Sequence, residues 1–320
     1  MPHVLVLGRI HEAGTRVLAE GGASWELLPE PSPEETLAKA PAADAILIRT
    51  SPLPAAAIEA APRLRIVSRH GVGYDNIDVA ACTRRRIPVT VVGDVNSVPV
   101  AEHTMMLMLA LARRAVAHDR STREGAWAVR DRFAMTELAG KRLLLLGFGR
   151  IGREVARRAR AFDMAVHVYD PYVREGDVSA LGCRREPDLD AALPHADFVS
   201  VHMPLTPETR NMLDGAALAR LKPSASVICT ARGGIVDEAA LAAALAAGRL
   251  RGAGLDVFAR EPPPGDLALL GLDNVVLSPH CAALTEECAI RMATISARNC
   301  LDGLAGRLRP ELVVNRTVLG

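Results

Sequence analysis

The chain alternates short apolar runs with segments of helical periodicity. In the first part of the chain, apolar runs at residues 4–7, 45–48, 64–67 and 88–92 predict strands, and residues 12–20 and 34–39 predict helices. A second series predicts strands at residues 142–146, 165–169, 198–202, 226–230, 253–257 and 275–277. Such alternation is typical of a parallel sheet with helices on both faces. We therefore predict an α/β protein with two doubly wound parallel sheets.

Two helical segments join and follow these series. Residues 98–118 are apolar nearly all round, which predicts one long buried helix with Ser97 as its cap. Residues 120–140 are polar and rich in glycine, so they predict a connector. A last helical pattern at 284–304 follows the final strand. The simplest arrangement is a domain at 99–284 inserted into a first domain formed by residues 1–98 and 285–320.

A glycine fingerprint opens the second series. Its strand leads into a G-x-G-x-x-G pattern made by Gly147, Gly149 and Gly152. The first glycine permits a tight turn, the second lets the backbone approach a pyrophosphate, and the third lets the helix pack closely on its strand. A purely structural glycine turn is the alternative, but a strand, a helix and a terminal acid all follow in register. The pattern predicts a dinucleotide-binding site.

The surroundings of the fingerprint refine this prediction. Arg150 and Ile151 begin the helix, whose free N–H groups and positive dipole end would face the phosphates. Asp170 ends the next strand, where its carboxylate would accept hydrogen bonds from the adenosine ribose. The same charge would repel a 2′-phosphate, so we expect NAD rather than NADP.

Composition excludes several other classes of protein. The chain has 320 residues, is 49% hydrophobic and only 3% aromatic, and carries a net charge of +1, which gives no reason to expect nucleic acid or an anionic membrane as a partner. The six cysteines form no C-x-x-C pair, and we expect neither a disulfide framework nor a metal site. We expect no signal peptide, because the first residues lack its charged and apolar regions, and no membrane span, because Glu102 and His103 interrupt the longest apolar region. A cytoplasmic protein is expected.

Three residues after the fingerprint suit the chemistry of a nicotinamide enzyme. Arg232 follows a predicted strand, and its guanidinium could bind a carboxylate and polarise a neighbouring carbonyl. His280 also follows a strand and carries the side chain best suited to proton exchange near neutrality. Glu261 could fix the tautomer of that imidazole. The alternatives are a surface salt bridge, a structural histidine and a simple loop carboxylate.

Arg232, Glu261 and His280, in this order, resemble the D-2-hydroxyacid dehydrogenase family. Further motifs that resemble it are Gly71-Val-Gly-Tyr-Asp-Asn-Ile-Asp78, Ala101-Glu-His-Thr104, His202-Met-Pro-Leu-Thr-Pro-Glu-Thr209 and Gly254-Leu-Asp-Val-Phe258. Together they span most of the chain. Two positions depart from the family pattern: Cys229 stands where asparagine is common, and Ala283 stands where glycine is common.

The resemblance implies a role for each of these positions. Arg232 would bind the 2-oxo acid, His280 would donate the proton and Glu261 would be its partner, while backbone N–H groups of Val72 and Gly73 would hold the substrate carboxylate. It adds cofactor contacts at Thr104, His202, Thr206, Thr230, Ala231 and Asp256, the last at the nicotinamide amide. It also implies a hinge between a substrate domain and a nucleotide domain, and a homodimer formed through the latter.

The substrate stays open among small acids. Arg49 and Arg69 occupy places where phosphoglycerate dehydrogenases of this family bind phosphate, although both could equally form salt bridges. Glyoxylate and hydroxypyruvate are comparable candidates, and no C-terminal regulatory domain is expected. One rival is a formate dehydrogenase, which carries Gln where Glu261 stands. Another is a non-catalytic NADH-sensing scaffold related to transcriptional corepressors.

Overall fold

The computed structural model describes all residues from Met1 to Gly320, which divide into two compact units. The smaller unit comprises Met1–Asn96 and Leu284–Gly320, and the larger unit comprises Ser97–Ala283. Each unit contains one parallel sheet, of five strands in the smaller and seven in the larger. The predicted fold class, two doubly wound α/β units, is confirmed.

The elements of the first chain segment are β1 (His3–Leu7), α1 (Glu12–Glu20), β2 (Ser24–Leu28), α2 (Pro33–Lys39), β3 (Ala45–Ile48), α3 (Ala55–Glu59), β4 (Ile66–Arg69), α4 (Val79–Arg84) and β5 (Val89–Thr90). The strand order β2-β1-β3-β4-β5 is the flavodoxin-like order of a doubly wound sheet. Strand β2 is missing from the sequence prediction. It is an edge strand in which no residue is fully buried, so it lacks the continuous apolar run of the central strands.

The elements of the larger unit are α5 (Ser97–Arg113), α6 (Ala115–Arg123), β6 (Arg142–Leu146), α7 (Arg150–Ala161), β7 (Ala165–Tyr169), α8 (Glu175–Ser179), β8 (Arg184–Arg185), α9 (Leu189–Ala192), β9 (Phe198–Val201), α10 (Gly215–Ala219), β10 (Ser226–Cys229), α11 (Glu238–Ala246), β11 (Gly252–Leu255) and β12 (Val275–Leu277). Its strand order is β12-β11-β10-β9-β6-β7-β8. The chain leaves β6 toward β7 and later returns to the other side of β6 with β9. The carboxyl ends of β6 and β9 are thus a topological switch point, where such sheets bind ligands.

The last helix, α12 (Glu286–Leu304), packs within the smaller unit although it comes from the end of the chain. It contacts α1, β3 and β4. The buried hydroxyl of Ser68 on β4 donates to the Ser296 carbonyl at 2.8 Å. A Cβ on Gly303 would lie 2.3 Å from the Ile66 side chain, so this helix approaches the sheet closely only because glycine stands there.

The prediction of one helix over residues 98–118 is wrong. The helix breaks at Arg114, which adopts the left-handed conformation with φ +49°. Ten residues of α5 are buried, whereas α6 buries none, because the apolar periodicity ends at Ala112. The connector is also partly helical, since α6 reaches Arg123 and a 3₁₀ turn follows at Trp127–Arg132. None of the helices, α5 included, combines the length and the apolar character needed to cross a membrane.

Candidate active site

The glycine turn after β6 has the geometry that the fingerprint predicts. Gly147 has φ +100°, and a Cβ there would lie 2.7 Å from the carbonyl oxygen of His202. A Cβ on Gly152 would lie 2.3 Å from the Gly147 carbonyl oxygen. Gly149, which caps α7, is different: a Cβ there would meet no protein atom within 4 Å. The backbone of Gly149 therefore faces open space in front of the helix N-terminus, as a pyrophosphate requires.

Asp170 follows β7 and is bonded to the glycine turn itself. Its Oδ2 accepts the N–H of Phe148 at 2.8 Å, and its Oδ1 accepts the N–H of Tyr172 at 2.9 Å. The carboxylate therefore ties the end of one strand to the turn after the neighbouring strand. It remains partly exposed, with lone pairs left for a ribose. The sequence predicted a ligand-binding role for Asp170, and it did not predict these two hydrogen bonds to the backbone.

The three predicted catalytic residues follow three adjacent strands. Arg232 follows β10, Glu261 follows β11 and His280 follows β12, so all three lie at the carboxyl edge of the sheet. His280 Nδ1 lies 2.6 Å from Glu261 Oε2. Glu261 Oε1 accepts the Phe258 N–H at 3.1 Å. The structure thus brings the predicted histidine and carboxylate into direct contact.

Glu261 stays ionised because of its hydrogen bonds. Burial alone would raise the pKa of this carboxyl. The hydrogen bonds from His280 and from the Phe258 N–H, with the positive charges of His280 and Arg232, outweigh burial and lower the pKa below its ordinary value. At neutral pH a carboxylate therefore faces the imidazole of His280.

Arg232 is held near this pair by its own loop. Its Nη1 donates to the Ala231 carbonyl at 2.8 Å. A Cβ on the next residue, Gly233, would lie 1.9 Å from the carbonyl carbon and oxygen of Phe258. Only glycine lets the Arg232 loop pack this closely against the segment that carries Glu261. Cys229, where asparagine is common, is buried, and burial raises the pKa of its thiol to about 11.

Asp256 organises the loop that carries His280. Its Oδ1 accepts the Ser278 hydroxyl at 2.6 Å and the Cys281 N–H at 2.9 Å, and its Oδ2 accepts the Ala282 N–H at 2.9 Å. The Asp256 carbonyl accepts the N–H of His280 at 2.8 Å. Asp256 is 1% exposed, and its carboxylate contacts atoms of the His280 loop. The resemblance implied a contact with the nicotinamide amide instead.

Among the other predicted cofactor residues, Thr104 and Thr230 are buried, whereas Thr206 lies in a surface turn. Thr104 is fully buried, and its hydroxyl contacts the Val100 carbonyl at 2.8 Å and the Thr230 hydroxyl at 3.0 Å. Thr104 therefore positions the Thr230 side chain from the protein interior. The Thr104 side chain itself does not reach the surface. Thr206 bonds to Thr209 within an exposed turn.

His202 shapes the site through its backbone. Its N–H donates to the Leu146 carbonyl at 2.7 Å, and its own carbonyl lies against Gly147. The ring is buried with Nε2 2.8 Å from the Ser200 hydroxyl, and burial lowers its pKa to about 3. The imidazole is therefore neutral at physiological pH and supplies no charge to a phosphate.

In the smaller unit, two predicted substrate residues lie at the carboxyl ends of adjacent strands. Arg49 follows β3 and Arg69 ends β4, with Ile48 paired to Arg69. Arg69 donates to the carbonyls of Gly73, at 2.7 Å, and His70, which fixes the loop after β4. The N–H groups of Val72 and Gly73 donate to no acceptor within this unit.

His70, which sequence reasoning missed, reports on the charge of this surface. It is 4% exposed, and its Nε2 has no hydrogen-bond partner. Burial, together with the positive charges of Arg49 and Arg69, lowers its pKa to about 3. Two guanidinium groups thus stand close enough to act on one buried ring. The combination of two cations and free N–H groups suits an anion.

Comparison with known proteins places the chain in a family. The family model described as D-isomer specific 2-hydroxyacid dehydrogenase, NAD binding domain, matches residues 105–282. The chain is 45% identical over 284 residues to a D-3-phosphoglycerate dehydrogenase from Mycobacterium tuberculosis, covering 88% of this chain and 53% of that protein. It thus spans about half the length of this relative. A glyoxylate reductase from Korarchaeum cryptofilum is 41% identical over 323 residues, covering 99% of this chain and 97% of the relative.

A solved structure agrees with these sequence matches. The NADPH-dependent glyoxylate/hydroxypyruvate reductase from Sinorhizobium meliloti, in complex with NADP and malonate, superposes with a TM-score of 0.88 at 31% identity. The match covers 99% of this chain and 97% of that one. The matched regions extend over both units. The chain belongs to the D-isomer specific 2-hydroxyacid dehydrogenase family.

Proposed function

We propose that this protein is an NAD-dependent dehydrogenase that interconverts a D-2-hydroxy acid and its 2-oxo acid. The observation that carries the proposal is the 2.6 Å contact between His280 Nδ1 and Glu261 Oε2, beside the loop of Arg232. The reaction needs a proton-exchanging group, a partner that orients this group and a cation for an anionic substrate. His280, Glu261 and Arg232 would fill these three roles. The family assignment supplies the D stereochemistry.

The residues of the glycine turn fit a nicotinamide dinucleotide. The open space at Gly149 and the N-terminus of α7 would accept the pyrophosphate, and Asp170 would accept the ribose hydroxyls. When bound, the nicotinamide exchanges a hydride with carbon 2 of the acid. We propose NAD over NADP because the Asp170 carboxylate accepts hydrogen bonds from the neutral backbone N–H groups of Phe148 and Tyr172 and keeps a negative charge that repels a 2′-phosphate.

Each catalytic side chain has one task in this proposal. Glu261 holds the proton on His280 Nδ1, which leaves Nε2 to face the substrate oxygen. In reduction the imidazolium donates its Nε2 proton to the developing alkoxide, and in oxidation the neutral ring accepts it back. Arg232 offers its fork to the carboxylate and to the carbonyl oxygen, where it stabilises negative charge.

The cationic surface of the smaller unit bears on the substrate class. Arg49, Arg69 and the N–H groups of Val72 and Gly73 favour an acid with a strongly anionic group, and 3-phosphoglycerate carries such a group. The glyoxylate reductase relatives keep glyoxylate and hydroxypyruvate as candidates. The presence of Glu261 weighs against the formate dehydrogenase reading, because enzymes of that type carry glutamine there.

A substrate panel tests the proposal directly. The purified protein is mixed with NADH or NADPH and with 3-phosphohydroxypyruvate, hydroxypyruvate, glyoxylate and pyruvate, and cofactor oxidation is followed. We expect turnover with at least one acid and a preference for NADH. His280→Ala should retain NADH binding, measured by fluorescence, and lose about 10²- to 10⁴-fold in turnover. NADH binding without turnover on any acid would favour a sensing scaffold instead.

We also propose a homodimer formed through the larger unit. The side chains of Met105, Met106, Leu109 and Phe162 line an apolar cavity of about 590 Å³ on α5 and α7, and Met106 and Phe162 are more than two-fifths exposed. Apolar patches of this kind mark protein interfaces. Light scattering should give the mass of two chains, and Met106→Glu should give the mass of one; a monomeric wild type would contradict the proposal.

A further inference from the structure

Three metal-binding side chains converge beside the His280 loop. His103 comes from α5, Asp256 follows β11 and Cys281 follows His280. An imidazole nitrogen, a carboxylate oxygen and the Cys281 sulfur lie within 4.8 Å of one another. The proposed reaction uses neither the Cys281 thiol nor the His103 imidazole, so the dehydrogenase activity does not explain why these side chains lie together.

The negative charge of Asp256 is compensated only by neutral donors. It is 1% exposed and accepts its hydrogen bonds from the Ser278 hydroxyl and from backbone N–H groups. The only basic side chain within salt-bridge distance is His103, whose Nε2 lies 3.6 Å from Asp256 Oδ1. Burying a carboxylate without a full counter-charge is costly. A divalent cation between these groups would supply that charge.

The ligand set selects the kind of cation. A thiolate, an imidazole and a carboxylate suit Zn²⁺, which bonds to these atoms at about 2.0–2.3 Å, whereas Mg²⁺ and Ca²⁺ prefer oxygen ligands. The three ligand atoms lie within 4.8 Å of one another, so small side-chain rotations would place all of them at bonding distance from one ion. The fourth position would go to water or to the Ser278 hydroxyl, which already lies 2.8 Å from His103 Nε2.

Metal binding would release one proton. In the free protein, burial and the Asp256 charge raise the pKa of the Cys281 thiol, so it is protonated at neutral pH. The cation displaces that proton and binds the thiolate. His103 would bind through Nε2 with its own proton on Nδ1, and would give up its contact with Ser278.

We propose that His103, Asp256 and Cys281 form an inhibitory site for Zn²⁺ or a similar thiophilic divalent cation. The inhibition follows from connectivity: the Asp256 carbonyl accepts the His280 N–H, and Cys281 is the next residue in the chain. A cation that takes the Asp256 carboxylate as a ligand competes with the hydrogen bonds from Ser278, Cys281 and Ala282 that hold the chain on both sides of His280, so this loop loosens. The imidazole then leaves its 2.6 Å contact with Glu261. This proposal revises the sequence-based expectation of a chain without a metal site, and only its inhibitory part rests on the proposed function.

Cobalt provides a readout that does not depend on activity. Co²⁺ added to the wild-type protein should produce a thiolate-to-cobalt charge-transfer band in the near ultraviolet, and Zn²⁺ should abolish it by competition. Cys281→Ser should remove the band. Cys183→Ser is the matched control, because that buried thiol lies beside β8 at the opposite edge of the same sheet and bonds to the Leu181 carbonyl. It should retain the band.

Activity then tests the inhibitory part. Zn²⁺ should reduce wild-type turnover at least tenfold, and a chelator should restore it. Cys281→Ser should keep its basal turnover and lose most of its sensitivity to Zn²⁺, whereas Cys183→Ser should stay sensitive. Absence of the cobalt band in the wild type, or its persistence in Cys281→Ser, would overturn the site. A band without inhibition would overturn the inhibitory role. If the band appears but none of the acids tested supports NADH oxidation, the metal site stands and the proposed dehydrogenase function is contradicted.

Discussion

His280 and Glu261 are joined by a 2.6 Å contact between Nδ1 and Oε2, and the second carboxylate oxygen accepts the Phe258 N–H. The carboxylate is thus anchored to the backbone at one end and orients the imidazole with the other. Because its pKa is lowered, it carries its charge throughout the neutral range. A constant negative charge therefore lies beside Nδ1 of His280.

Glu261→Gln should move the pH dependence of turnover in a defined direction. The amide keeps the shape of the side chain but removes the charge that stabilises the imidazolium. Reduction of the 2-oxo acid needs the imidazolium, so the pH at which its rate declines should fall. In the oxidation direction, which needs the neutral ring, activity should appear at lower pH by the same amount.

The measurement is kcat/KM against pH in both directions, since this ratio reports the free enzyme. Glu238→Gln is a suitable control, because that carboxylate accepts the N–H of Ala259 in the adjoining loop without contacting His280. The pH profile of Glu238→Gln should match that of the wild type. An unmoved profile for Glu261→Gln would mean that Glu261 does not tune His280.

Alanine at two fingerprint glycines should have two different effects. A Cβ on Gly152 collides with the Gly147 carbonyl oxygen at 2.3 Å, so Gly152→Ala should lower the thermal midpoint as well as NADH affinity. A Cβ on Gly149 meets no protein atom, so Gly149→Ala should keep its thermal midpoint and lose NADH affinity alone. Thermal unfolding and fluorescence titration separate the two. Full NADH binding by Gly149→Ala would place the pyrophosphate elsewhere.

Asp170→Asn should relax the choice between NADH and NADPH. The amide oxygen can still accept a backbone N–H, but the charge that repels a 2′-phosphate is lost. We expect the preference for NADH, as a ratio of kcat/KM values, to fall about tenfold, which corresponds to about 1.4 kcal/mol. Asp177→Asn, an exposed change on α8, should leave the ratio unchanged. An unaltered ratio in Asp170→Asn would assign this carboxylate to the turn alone.

The sequence predicted the parts of the site that depend on position along a strand. Arg232, Glu261 and His280 each follow an apolar run, and parallel strands bring their carboxyl ends to one edge. It did not predict the contacts that depend on loop conformation. The left-handed backbone of His280, at φ +50°, and the Asp256 network that supports it arise from tertiary packing, for which the sequence carries no periodic signal.

The errors in the fold have similar causes. Strand β2 is half-exposed at a sheet edge, so its sequence, Ser-Trp-Glu-Leu-Leu, lacks the apolar run that marked the central strands. The break at Arg114 follows no proline or glycine, and only the left-handed φ angle reveals it. The resemblance predicts a cofactor contact for Thr104, and no signal in the sequence indicates that this side chain is buried.

Arg49→Gln should discriminate between the candidate substrates. If Arg49 binds phosphate, KM for 3-phosphohydroxypyruvate should rise at least tenfold, while KM for glyoxylate should change little. Arg49 is chosen over Arg69 because the latter also holds its own loop through the carbonyls of Gly73 and His70. Arg84→Gln, which removes only an exposed pair with Glu59, is the control. An equal effect on both acids would assign Arg49 to the loop and not to phosphate.

Asp197 should make the stability of the larger unit dependent on pH. Burial alone would raise its pKa, but the Arg142 N–H at 2.8 Å and the Lys222 ammonium at 2.9 Å lower it below the ordinary 3.8. A carboxyl whose pKa is lower in the folded state stabilises that state fully at pH values above its ordinary pKa. The contribution is lost as the pH falls through the lowered value.

Asp197→Asn should therefore reduce the free energy of unfolding by about 1 kcal/mol at neutral pH, because the amide cannot pair with the ammonium. The difference from wild type should shrink once the pH falls below 3.8, where Asp197 of the unfolded wild-type chain takes up its proton before the folded one does. Urea unfolding at both pH values measures this. Asp266→Asn, at an exposed loop position, should be neutral at both. A difference that persists undiminished in acid would show that Asp197 acts through its shape, not its charge.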